Sequence, residues 1–269
     1  MIRFRLLSLA LCQLILFSAS VPFSGVTTAS TRDALTLQFS SAPVISQDFY
    51  QVAGTYDAET LEWCTELITD VLTILPEEHA NAIHDLTLSF DSSARRGLGG
   101  DNTVILRCVD MNPEELVAVL VHELGHVVDT GLLDPFGPGE KTAFLDRGQP
   151  VLDTDPSFQY YSASWADSEK RTGSKWEFVS GYARTNPFED FAEAYAAYVL
   201  HGPLFRFYAE ENEVLAEKYN YLKMTVFNGI EFDFASETTS KGTYERVYDM
   251  TRLDFDLESF LALRGLEDS

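Results

Sequence analysis

The sequence predicts an α+β fold, a small mixed sheet packed against long apolar helices, on three observations. Apolar and polar residues alternate over Leu86–Phe90, the period of a half-buried strand, and Thr103–Cys108 reads as the returning strand. Longer stretches opening at Asp57, Asn112 and Asn186 place apolar residues at helical spacing behind good N-cap residues. The chain has 269 residues and 45% apolar content, enough for one large globular domain with an appended arm.

The chain opens with Arg3 and Arg5, an apolar run from Leu6 to Phe17, and the small residues Ser18-Ala19-Ser20. This is the pattern of a cleaved secretory signal peptide over residues 1–20, and it places the mature protein outside the cell or in a periplasm. A membrane anchor is the alternative, but a span wants about twenty apolar residues and this run is shorter. Leu11 stands before Cys12 where a lipid-anchor signal wants a small residue. Residues 21–47, rich in Ser, Thr and Ala, read as an N-terminal arm, and 48–269 as the folded domain. The formal charge of −23, with a pI near 4.4, argues against nucleic acid or an anionic membrane as partner, since both would be repelled.

From Asp57 as N-cap, Leu61, Cys64, Leu67, Ile68, Val71, Leu72 and Leu75 follow helical spacing until Pro76. Cys64 and Cys108 are the pair left once the signal is removed, and an exported protein permits a disulfide between them; two buried thiols are the alternative. Between the two strand runs, Arg95 to Asp101 is glycine-rich and reads as a turn.

The next helix opens with Asn112 as cap, Pro113 at its first position and Glu115 at its third, a capping box by residue type, and Gly131 is placed to end it. Its apolar body carries His122-Glu123-Leu124-Gly125-His126, an H-E-x-x-H motif. On a helix the two imidazoles stand one turn apart, roughly 6 Å along the axis, within reach of one zinc ion. Glu123 then falls beside the ion, placed to take a proton from water. A catalytic zinc needs one more protein ligand and an open position. Gly125 costs about 1 kcal/mol of helix propensity relative to Ala, which a close approach by another backbone would explain.

Residues 132–181 show no strong period, and Phe158, Tyr160, Tyr161, Trp165 and Trp176 within them either wall a substrate groove or cover the core. The stretch after Gly181 repeats the opening device, with Asn186 as cap, Pro187 first and Glu189 third. Glu189 and Glu193 share a face that is otherwise apolar. A zinc ion with its histidine shell would satisfy them; otherwise Glu189 completes a capping box and Glu193 is solvated.

His122-Glu-Leu-Gly-His126 followed by Val-Val-Asp129, together with Tyr182-x-Arg-Thr-Asn186 leading into Glu189-x-Phe-Ala-Glu193, resembles the anthrax lethal factor catalytic domain and the clostridial Pro-Pro endopeptidases, zinc metallopeptidases of the gluzincin group. The resemblance implies a zincin-like fold, with a central H-E-x-x-H helix and a second helix that carries the third zinc ligand. It implies His122, His126 and Glu189 as zinc ligands, Glu123 as general base, Glu193 as support for the ligand shell, and Tyr182 as the group pointed at the substrate carbonyl. The metzincin pattern is absent, because position 129 is Asp rather than Gly and position 132 is Leu rather than His.

His79, His84 and His201 read as surface or capping residues, Pro203 to Phe227 as one further helix, Asn228-Gly229 as a turn, and the last forty or so residues as packing around the second helix. The expectation is an exported zinc endopeptidase acting on a peptide or protein, with Thr103–Arg107 as the edge strand that pairs with it. An exopeptidase that grips a substrate terminus through Arg184 and a non-catalytic binding module remain as alternatives.

Overall fold

A computed structural model describes residues 49–133, 135, 137–234 and 245–265. The expected signal peptide and N-terminal arm lie outside the described residues. The molecule is mixed α+β, and its main sheet has four strands.

Strand β1 (Tyr50–Ala53) leads into helix α1 (Ala58–Ile74), whose N-cap is Asp57 accepting from the Thr60 N–H. Cys64, Ile68, Val71 and Leu72 form its buried stripe. A short α2 (Glu77–Asn81) precedes β2 (Asp85–Ser89), β3 (Gly97–Gly100) and β4 (Thr103–Arg107). The strand order is β1-β2-β4-β3, with β1, β2 and β4 parallel and β3 antiparallel to β4. Leu86, Leu88, Val104 and Leu106 are buried, as the alternation required. A disulfide joins Cys64 in α1 to Cys108 just past β4, settling the choice that the two cysteines left open.

Two expectations change here. The Arg95–Asp101 stretch is not only a turn, because Gly97–Gly100 pairs with Leu106 through Thr103 as the sheet's outer strand. Thr103–Arg107 is therefore interior, and β3 is the edge on that side of the sheet.

Helix α3 (Pro113–Val127) starts at Asn112, which accepts from the Glu115 N–H. Glu115 does not close the box; its carboxylate instead pairs with Arg96 at 3.2 Å and Arg252 at 3.0 Å. Gly131 does not stop the helix either, since it continues as a π turn over Val128–Leu132.

The connection expected to be irregular holds a hairpin, β5 (Lys141–Asp146) and β6 (Gln149–Leu152), and then α4 (Pro156–Ser162). Arg147 and Gly148 turn the hairpin with φ of 47° and 80°. Tyr160, Tyr161 and Trp165 are buried, so these aromatics cover the core rather than wall a groove.

Helix α5 (Pro187–Leu200) is capped by Asn186 and packs along α3. Gly125 sits at the crossing, where an added Cβ would lie 2.9 Å from Ala192 Cα and 3.0 Å from Tyr195 Cβ. This is the close approach that a glycine within the motif helix implied. The single helix expected from Pro203 is two, α6 (Gly202–Glu211) and α7 (Glu213–Tyr221), because Asn212 takes an extended conformation and caps the second. A short α8 (Leu257–Leu261) follows. Among the described residues no helix is long and apolar enough to cross a membrane.

The histidine expectation is corrected in part. His84 is exposed, but His79 and His201 are 1% exposed. His79 lies 2.9 Å from both the Tyr195 hydroxyl and the Val226 carbonyl, while His201 packs edge-on to Phe255.

Candidate metal centre

Helices α3 and α5 bring His122, His126 and Glu189 together. Glu189 Oε2 lies 3.2 Å from His122 Nε2 and 3.3 Å from His126 Nε2. Ligand atoms set about 2.05 Å from a tetrahedral ion stand ~3.3 Å apart, so these spacings suit one zinc-sized cation. Glu189 Oε2 is buried and, among the described residues, has no hydrogen-bond donor apart from these two imidazole nitrogens. An oxygen so placed needs a positive partner. Glu123 is nearby, its carboxylate within 4.8 Å of the imidazole nitrogens. Because Glu189 stands closer to both nitrogens, it is the better third ligand and Glu123 is left free.

The local sequence explains the convergence. Asn186 caps α5 through the Glu189 N–H at 2.9 Å, which fixes Glu189 in the first turn. Its carboxylate is thereby aimed at α3 instead of closing a capping box. One turn deeper, Glu193 is fully buried rather than solvated. Its Oε1 lies 3.0 Å from His122 Nδ1, and among the described residues neither atom has another partner. With Nδ1–H donating there, Nε2 of His122 is the nitrogen that faces Glu189 and is left for a cation.

Glu193 Oε2 accepts from the Ser180 hydroxyl at 2.5 Å and from the Met250 N–H at 2.9 Å. Ser180 and Met250 had no sequence signature: one is a serine among many, and the other contributes only its backbone. The Ser180 hydroxyl also accepts from the Ala183 N–H at 3.0 Å, fixing the short turn that carries Tyr182. The Tyr182 hydroxyl donates to Glu189 Oε1 at 3.2 Å, and its ring is 6.1 Å from that of His122. The C-terminal segment, expected only as packing, reaches the site as well. Val247 and Tyr248 accept from the N–H groups of Gly181 and Tyr182, and Asp249 pairs with Arg96 at 2.8 Å.

Strand β3 shapes the opposite wall. Gly97 lies against the Glu123 side chain and Gly99 against the Glu123 backbone so closely that a Cβ at either would overlap it. That contact accounts for the glycines beside the motif helix.

The charges favour a cation. Burial opposes charging His122, but Glu189 and Glu193 beside it raise its pKa to about 10. Burial likewise opposes ionisation of Glu189, yet the two imidazoles hold its pKa well below the usual carboxylate range. Burial pushes the Glu123 carboxyl up, the direction a general base requires, while His122 and His126 act against the shift. Burial, then Glu189, raise the Tyr182 phenol, so it stays a donor.

These groups line a cavity of ≈ 720 Å³ between β3, α3, the Tyr182 turn and the Tyr248 segment. Arg184 does not line it, which removes the residue considered for gripping a substrate terminus. No family model matches the chain, and no curated protein matches it either.

Proposed function

We propose that the protein is an exported zinc-dependent endopeptidase of zincin fold. The observation that carries the reading is the convergence of His122 Nε2 and His126 Nε2 on the buried Glu189 Oε2 at 3.2 and 3.3 Å, in the lining of a cleft. The motif helix packed on a second helix that bears the third ligand supports the fold, and the Cys64–Cys108 disulfide supports an oxidising compartment.

When bound at these ligands, zinc polarises the scissile carbonyl and lowers the pKa of a water. Glu123, on α3 and packed against the glycines of β3, takes the water's proton and passes it to the leaving amine. Tyr182 donates a hydrogen bond to the oxyanion that develops on the carbonyl. Glu193 keeps His122 in the tautomer with a free Nε2. The unpaired side of β3 offers backbone groups to an extended polypeptide, the role expected of the neighbouring strand. A cleft that runs along an open strand suits an endopeptidase.

Protein purified without chelator should contain about one zinc per chain and cut members of an unbiased peptide mixture internally. Glu123→Gln should keep the metal and lose roughly a hundred- to ten-thousand-fold in turnover. A folded, zinc-supplemented sample with metal content near zero would sink the proposal, and so would undiminished cutting by Glu123→Gln.

A further inference from the structure

The cleft holds apolar surface that the proposed chemistry does not use. Of the large apolar side chains that stand well exposed among the described residues, Leu98 at 47% and Tyr248 at 74% line this cavity. Exposed apolar residues scattered singly are ordinary, but two that converge on one cleft mark a contact surface.

The exposure of Tyr248 does not come from a slack backbone. Its carbonyl accepts from the Tyr182 N–H at 2.5 Å, and the Val247 carbonyl accepts from the Gly181 N–H at 2.8 Å. On its other side Asp249 holds Arg96 at 2.8 Å, and the Met250 N–H donates to Glu193. The ring is thus held out over the cleft, 6.2 Å from that of Tyr182. A tyrosine fixed in this way offers a broad amphipathic face at little further cost in conformational entropy. Leu98 stands on β3, at the open edge where an extended chain would lie. Arg96, at the same end, is already occupied by Glu115, Asp249 and Thr251.

We infer that Leu98 and Tyr248 form a subsite for an apolar side chain of the polypeptide substrate, flanking the scissile bond, and that Tyr248 determines specificity there. This rests on the peptidase reading for the identity of the substrate. The test therefore measures binding separately from cutting. Acetylated, amidated decapeptides of Gly and Ser, carrying Leu, Phe, Ala, Lys or Glu at one central position, are titrated into the zinc-loaded Glu123→Gln protein and offered to the wild type.

The Leu and Phe peptides should bind about ten-fold more tightly than the Ala peptide. Adding Tyr248→Ala or Leu98→Ala should collapse that ratio, Tyr248→Phe should retain it, and Met224→Ala, an exposed residue outside the cavity, should not change it. If the wild type cuts none of the peptides while this binding pattern holds, the peptidase reading falls and the apolar subsite stands. Equal binding of the Leu, Phe and Ala peptides, tighter binding of the Lys or Glu peptide, or an unchanged ratio in Tyr248→Ala overturns the inference.

Discussion

Glu189 and Glu193 occupy successive turns of α5, and their environments give them different work. Glu189 Oε2 faces the two imidazole nitrogens, whereas Glu193 is shared between His122 Nδ1, Ser180 and the Met250 N–H. Glu189→Ala should therefore abolish stable zinc binding. Glu193→Ala should weaken it by roughly 10- to 100-fold, the usual effect of losing a group that orients a ligand. Zinc titration of both variants, with folding checked by circular dichroism, tests this; loss of the metal from Glu193→Ala alone would reverse the assignment. Much of this cluster was legible in the sequence, because two carboxylates on an apolar helix face need partners and two histidines at helical spacing are the natural ones. Ser180 and Met250 were not, since one is a serine among many and the other's backbone N–H looks alike whatever residue bears it.

At the scale of elements, the helices that carry the candidate site were legible because their signals are local. Asp57, Asn112 and Asn186 each cap as their residue types dictate. Strand β3 gave no such signal, because Gly-Leu-Gly-Gly lacks alternation and its glycines answer a tertiary demand, the passage of Glu123 beneath them. The β5–β6 hairpin was hidden for a related reason: its turn puts Arg147 at positive φ, where Asn or Asp is the usual marker. The contact between β3 and Glu123 makes its own prediction. Gly97→Ala should push the Glu123 carboxylate aside and lower kcat/KM on the order of 100-fold, the scale set by a displacement of about 1 Å. Metal content should hold at the wild-type level. Peptide cleavage assays paired with elemental analysis separate the two, and full activity in Gly97→Ala would mean that Glu123 has room to move.

Over the whole molecule, a formal charge of −23 coexists with two buried neutral histidines. Burial lowers the pKa of His79 to about 4 and of His201 to about 3. An unfolded histidine titrates near 6.5, so the unfolded chain binds protons first as the solution is acidified. Each residue's contribution is fully present above pH 6.5 and is lost as the pH falls towards these folded values, at up to ~1.4 kcal/mol per pH unit. No polar partner meets the His201 ring nitrogens among the described residues, so replacing it leaves no new donor stranded. Urea unfolding of the metal-free protein between pH 6.5 and 4 should give a shallower decline for His201→Leu than for the wild type. Parallel declines would show that His201 stays charged or hydrated in the folded state.

The carboxylate of Glu193 joins three distant parts of the chain: the motif helix through His122, the turn before α5 through Ser180, and the Tyr248 segment through the Met250 N–H. A polypeptide made from its N-terminus outwards presents His122 long before Met250 exists. While the chain is being synthesised, the motif helix thus lacks the buttress that turns its first imidazole toward the second. The proposed centre therefore has its full set of supporting contacts only after Met250 has been added to the chain.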